Sequence, residues 1–220
     1  NIDGVSRRII EQDKHIYFID SKGEESRRDD STSIQNNGEA DIVVELLKKI
    51  DAAYNNSTEF KPYVNKQKRI DERMSVGVIC TYGDQATLIK EKSKGMKFRS
   101  FNENSDSRLV ISTVDDFQGD ERDIIIVSMV RSPQNHARSK AGFITAYQRV
   151  NVAFSRARRI LIIVGNKDYL IKKGVIDLPD VMGNQANDKK DFRIYEKVID
   201  TIRQDGKMLD DADIFVGGVR

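Results

Sequence analysis

One cysteine, two histidines and no long apolar run set the first limits on this 220-residue chain. Cys80 alone cannot close an intramolecular disulfide or build a cysteine-rich metal site, and its apolar setting reads as a packed strand position rather than a nucleophile. His15 and His136 stand far apart without ligand spacing, which argues against any histidine metal site. No stretch approaches the roughly 18 apolar residues that a membrane-spanning helix needs, and no signal peptide is recognisable. The expectation is a cytoplasmic protein with no membrane partner. The phosphate cradle G-x-x-x-x-G-K-[ST] is also missing throughout. Chemistry therefore falls to carboxylates, arginines and backbone groups.

What is present is a charged, water-facing chain: 33% of residues are charged against 38% hydrophobic, which suits a soluble α/β domain with a heavily solvated surface. The length fits one such domain over residues 1–175 with an appendage over 176–220, a loop followed by a helix near 190–204. Apolar, β-rich runs at His15–Asp20, Val76–Thr81, Arg108–Thr113, Asp123–Val130 and Ile160–Gly165 read as strands. The last two are almost continuously apolar, as central parallel strands covered on both faces are. Helical patterns lie between and after them at Glu39–Tyr54, Asp84–Lys94, about Ala146–Arg156 and Phe192–Arg203. Strands alternating with helices predict a doubly wound, mainly parallel sheet with helices on both faces. Ser21–Gly38 is polar enough to predict a mobile surface loop, Asp177–Lys190 looks similar, and the tail after Arg203 is expected to be disordered or to fold on a partner. An opening Asn1 rather than Met is expected of a fragment of something longer.

Net charge is only +2, but its distribution is uneven. Asp115–Asp123 holds five acids and one Arg, whereas Arg131–Arg159 holds seven Lys or Arg and no acid. That basic stretch reads either as a solvated face or as a surface for phosphate. Following a strand, the segment Val114–Asp123 is expected to cross the carboxyl end of the sheet, where open α/β folds bind ligands. Gly119 lets the backbone approach a phosphate and present its N–H, and Glu121 can accept from a ribose hydroxyl. A capped turn that satisfies only its own backbone is the competing reading. In the arginine segment, helical spacing puts Arg149 and Arg156 on one face, and a planar, permanently charged guanidinium suits bidentate phosphate binding. Arg158 and Arg159 are expected to cap the C-terminus of the same helix.

These residues resemble a known family. Val114–Asp123 is similar to motif V of superfamily I helicases of the Upf-like group, and Arg149–Arg158 to their motif VI. Val76–Gln85 is similar to motif IV, and Ser33–Ala40 to the family's Ser, Asn and Glu-Ala opening a helix. The resemblance covers roughly Tyr17 to Lys167 and implies a second RecA-like motor domain: a P-loop NTPase type fold lacking its own P-loop. By that resemblance Arg156 is the catalytic arginine that reaches the γ-phosphate. Gly119, Glu121, Arg149 and Gln118 bind nucleotide, and Thr113, Tyr82 and Thr81 lie on the nucleic-acid side.

The implied cofactor is ATP with Mg²⁺, whose ligands belong to a first RecA-like domain of the same protein. The other partner is single-stranded DNA or RNA, and a monomer is expected. On this reading the chain supplies motifs IV, V and VI to an ATP-dependent helicase and is inactive alone, without Walker A and Walker B. The alternative is a non-catalytic RecA-like module that binds nucleic acid or protein. Asp116, where the family usually has a small residue, and Thr81, where it often has Pro, depart from the pattern on the nucleic-acid side.

Overall fold

The computed structural model of the chain describes residues 10–11, 13–56, 74–101, 108–133, 142–177 and 191–215. Six strands form one sheet: β1 (Ile16–Asp20), β4 (Val76–Cys80), β5 (Leu109–Thr113), β6 (Arg122–Ser128), β7 (Ala157–Gly165) and β10 (Lys207–Asp210). Their spatial order is β10-β1-β7-β6-β4-β5 and every neighbouring pair is parallel. A parallel sheet needs a crossover after each strand, and the crossovers cover both faces. Two antiparallel ribbons stand apart from it: β2 (Glu25–Ser26) with β3 (Gln35–Asn36), and β8 (Val175–Asp177) with β9 (Asp191–Arg193).

Side-chain alternation along the strands divides the core. Val76, Val78, Ile124, Ile126, Ile160 and Ile162 pack on one face beneath α1 (Asn37–Asn56), α2 (Gly83–Ser93) and α6 (Asp211–Phe215). Ile79, Ile125, Val127, Leu161 and Ile163 pack on the other beneath α3 (Tyr147–Phe154), α4 (Lys167–Lys173) and α5 (Ile194–Asp205). Both faces of β6 and β7 are dry, which is why these two runs carry so few polar residues. Cys80 is buried in β4, where burial pushes its thiol up, away from the reactive thiolate.

Several sequence expectations change. Residues 204–215 do not trail away: Gly206 turns the chain, β10 pairs with β1, and α6 packs Ile214 into the core, while residues 216–220 lie outside those described. The segment expected as a mobile loop holds the β2–β3 ribbon, with Ile34 and Asn36 buried and Ser21 N–H donating to Gly165 O at 3.0 Å. Residues 178–190 lie outside those described. Helix α3 stops at Phe154, so Arg156 sits in the turn beyond it and Arg158 and Arg159 belong to β7. The chain must become extended there to meet β6 at Arg122, whose strand partner is Ala157.

The segment Val114–Glu121 also runs differently from the expectation. Thr113 is level with Cys80 and Ser128 at the carboxyl edge, while Arg122 begins β6 at the amino edge. Residues 114–121 therefore descend the full height of the sheet across β4 and end at the opposite edge. Gly77 makes room for the descent, since a Cβ there would sit 2.5 Å from Phe117 Cζ and 2.7 Å from Ile125 Cδ1. Phe117 and Val114 are the buried anchors of the crossing. Gly77→Ala should destabilise the chain by about 1–3 kcal/mol through overpacking. The loss, measured by urea denaturation, should shrink when Phe117 is also replaced by Leu.

Candidate nucleotide and nucleic-acid site

The descending loop is built from successive turns. Phe117 N–H donates to Thr113 O (3.1 Å) and Val114 O (3.2 Å), and Asp120 N–H to Phe117 O (3.2 Å). Gly119 has φ +84 in open space, a left-handed conformation that explains glycine here and leaves its amide at the surface. Gln118 beside it is exposed. Asp120 accepts from Glu121 N–H at 2.9 Å and pairs with Arg122, whose guanidinium lies 5.9 Å from the Phe117 ring centre.

The acidic loop and the arginine segment are joined along their length. Arg122 N–H donates to Arg156 O at 3.1 Å, which brings the end of the acidic loop against the backbone of Arg156. Arg158 Nε lies 3.4 Å from Glu121, Arg159 Nε 3.7 Å from the buried Asp123, and Arg149 3.0 Å from Asp115. The β6–β7 register shifts between Arg122 and Ile124, where Ala157 and Ile160 are the respective partners, so β7 holds one extra residue. A bulge of this kind re-aims side chains. It gives Arg158 and Arg159 acidic partners at the start of the neighbouring strand β6, and neither caps α3.

The C-cap is Ser155, whose N–H donates to Asn151 O, and the arginine that meets an end carbonyl is Arg156. Its Nε donates to Val152 O (3.1 Å) and its Nη2 to Ser155 Oγ (3.0 Å). Arg149, within α3, stacks 5.7 Å over Phe143 and pairs with Asp115, so it ties α3 to the acidic loop rather than sharing a helix face with Arg156.

Gly119, Glu121 and Arg156 thus meet at the amino edge of β6 and β7, not at the carboxyl edge. Thr81, Tyr82 and Thr113 stand at the carboxyl edge. Thr81 is buried and donates to Met129 O at 2.9 Å. Tyr82 OH accepts from Phe143 N–H at 3.5 Å and would lie 2.7 Å from a Cβ on Gly142. Thr113 donates to Asp116 at 2.8 Å, so the unusual acid at 116 engages its own loop. Among the described residues no three His, Cys, Asp or Glu side chains form a group that could hold a metal ion. The loop carboxylates of Asp115, Asp116 and Glu121 are engaged by Arg149, Thr113 and Arg158, and do not fit a Mg²⁺ site.

A buried polar network behind the carboxyl edge is built in part by Asn36, Glu39 and Gln85, which the resemblance covers without giving them a role. Arg131 N–H bonds back to Met129 O at 2.7 Å around Val130, whose φ is +67: a γ-turn of the rare, strained hand. Glu39 accepts from Val130 N–H (2.9 Å) and Ser128 Oγ (2.8 Å), while Asn36 Nδ2 donates to Val130 O (3.1 Å). Asn36 also accepts from Glu39 N–H at 3.0 Å, the N-terminal cap of α1. In a capping box the acid at this position would reach back to the cap N–H. Gln85 takes that N–H instead, at 2.7 Å, freeing Glu39 to hold the strained peptide. Gln85 is thus a structural strut. Arg131 pairs with Glu25 at 3.1 Å and with Tyr169 OH at 3.2 Å.

Residues 3–168 match the family model described as AAA domain. The chain belongs to the AAA domain family. Its relatives include a putative helicase, mov-10-B.1, of Danio rerio, 33% identical over 156 residues, covering 69% of this chain and 14% of that protein. An uncharacterized ATP-dependent helicase of Methanocaldococcus jannaschii is 30% identical over 169 residues, covering 77% and 20%. Helicase sen1 of Schizosaccharomyces pombe is 33% identical over 133 residues, covering 60% and 7%. The chain spans no more than 20% of the length of any of these three. With the parallel sheet above, it is a RecA-like domain related to superfamily I, Upf-like helicases. Among its described residues no helix is long and apolar enough to cross a membrane.

In this AAA domain Glu39 is fully buried, and desolvation pushes its carboxyl from 4.5 up to about 7 despite the hydrogen bonds from Val130 and Ser128. A carboxyl raised on folding favours the folded state most when protonated. Its contribution is complete below 4.5 and lost as pH rises through about 7. Over that window the loss is about 3 kcal/mol. Denaturant midpoints measured from pH 4.5 to pH 8 should therefore fall more steeply for the unaltered chain than for Glu39→Gln, which keeps an acceptor for Val130 without the charge.

Proposed function

We propose that this chain is the second RecA-like motor domain of an ATP-dependent superfamily I helicase, contributing motifs IV, V and VI to a nucleotide cleft shared with a first RecA-like domain. The observation that carries the reading is the Arg122 N–H to Arg156 O bond of 3.1 Å. It brings the backbone of Arg156 beside the end of the loop that carries Gly119 and Glu121, at one edge of the sheet.

The roles follow from the chemistry. Gly119 offers an exposed amide to a phosphate, with Gln118 beside it. Glu121 accepts from the ribose hydroxyls. Arg149 holds the two motifs in register through Asp115. Arg156 crosses the cleft to the γ-phosphate, where charge grows on the transferring group. Mg²⁺, when bound, neutralises charge on the phosphate oxygens, and its ligands belong to the other domain. The carboxyl edge around Thr81, Tyr82 and Thr113 is the side for single-stranded DNA or RNA, gripped through its phosphates and sugars. Closure on ATP and reopening after hydrolysis alternate that grip between the two domains.

Replacing Arg156 by Ala in the full-length polypeptide should lower nucleic-acid-stimulated ATP turnover by about 10³-fold or more while leaving ATP binding largely intact. Steady-state hydrolysis and equilibrium binding of a fluorescent ATP analogue measure the two. Turnover near that of the unaltered enzyme would refute the assignment.

A further inference from the structure

We infer that Ser155 is a positioning residue for Arg156, holding the guanidinium plane so that its Nη1 end stays available to phosphate. The inference rests on the functional reading above and deepens it. Val152 is in the last turn of α3, where carbonyls lack an N–H partner four residues on within the helix. Arg156 is four residues on, but it offers its side chain: Nε donates to Val152 O at 3.1 Å. Ser155 Oγ donates to the same carbonyl at 3.2 Å and accepts from Arg156 Nη2 at 3.0 Å. Carbonyl, hydroxyl and guanidinium close a small triangle at the negative end of the helix dipole.

The geometry does more than cap a helix. One hydrogen bond from Nε would satisfy the carbonyl and leave the planar group free to swing about that bond. The second, to Ser155, fixes the plane. A guanidinium has five N–H donors, and the triangle uses two. Among the described residues no hydrogen bond or ion pair engages Nη1. The fork end is therefore pre-aimed while the stem is tethered, which lowers the ordering cost of reaching a transition state. Ser155 is exposed, and its hydroxyl touches no core group that would make it a folding residue.

The test compares Ser155→Ala, Ser155→Thr, Arg156→Lys, Arg156→Ala and the Ser155→Ala/Arg156→Lys double variant in the full-length polypeptide with Mg-ATP and single-stranded nucleic acid. Ser155→Ala should lower kcat about tenfold with KM for ATP within about twofold and an unchanged Tm. Ser155→Thr, which keeps the hydroxyl, should restore kcat. In the Arg156→Lys background, where no fork remains to be held, adding Ser155→Ala should cost nothing further. A Ser155→Ala enzyme with unaltered kcat, or one that loses as much in the Lys background, overturns the inference. Unaltered turnover by Arg156→Ala would instead bring down the functional reading on which it rests, so the two failures are separable.

Discussion

The β6–β7 ladder is the constraint on which the rest of the molecule depends. Two neighbouring strands buried on both faces can tolerate almost no polar side chains along their length, so polarity is pushed to their ends. At the amino end, one extra residue in β7 between Ala157 and Ile160 changes which way the side chains point. That residue lets two consecutive arginines, Arg158 and Arg159, meet acids at the start of the neighbouring strand, while Arg122 N–H stays on Arg156 O. The exposed pairs among these contribute little to stability individually. Their effect is geometric, since the ladder has already settled where each partner stands.

The sheet was legible because burial writes itself as apolar runs. Five of its six strands could be read from hydrophobicity, and the two most continuous runs are its central pair. Strand β10 was missed because Lys207, Met208, Leu209 and Asp210 form an edge strand, whose polar half looks like a tail. Helix α3 was drawn too long for a related reason. The apolar positions Val150, Ala153 and Phe154 continue helical spacing up to the point where the chain must turn extended, and only pairing with β6 sets where that happens. The residues of the candidate site were identifiable by type and motif. Which edge of the sheet they occupy was not, because it depends on a loop that descends past a glycine on a strand distant in sequence, Gly77 against Phe117.

The buried network at the other edge shows a second limit. Asn36, Glu39 and Gln85 fall in segments that carry the family resemblance, yet nothing in the sequence shows that all three are fully buried. Glu39 and Asn36 satisfy the backbone of Val130 where β6 departs, and Gln85 bonds both backbone groups of Asn36. Val130, β-branched at φ +67, pays a local strain that only its two clamps make tolerable: Glu39 on its N–H and Asn36 on its C=O. The strained turn redirects the chain so that Arg131 can enter its pocket against Glu25 and Tyr169. Motif-like residues at the start of α1 thus act by holding the exit of β6 and have no need to touch a ligand.

The two edges are mechanically joined. Residues 114–121 span the sheet from Thr113 to Arg122, and α3 runs beside them in the same sense, since it connects the carboxyl end of β6 to the amino end of β7. The two segments are pinned to each other at both heights, by Arg149 on Asp115 near one edge and by Arg122 on Arg156 at the other. Under the proposed function, a load on Thr113 from nucleic acid and a load on Gly119 from nucleotide act on opposite ends of one short segment anchored by Val114 and Phe117. Only these two side chains of the segment are buried, so a displacement can pass to the core only through them. Its anchors, more than any exposed charge, are what would make the nucleotide edge responsive to the nucleic-acid edge.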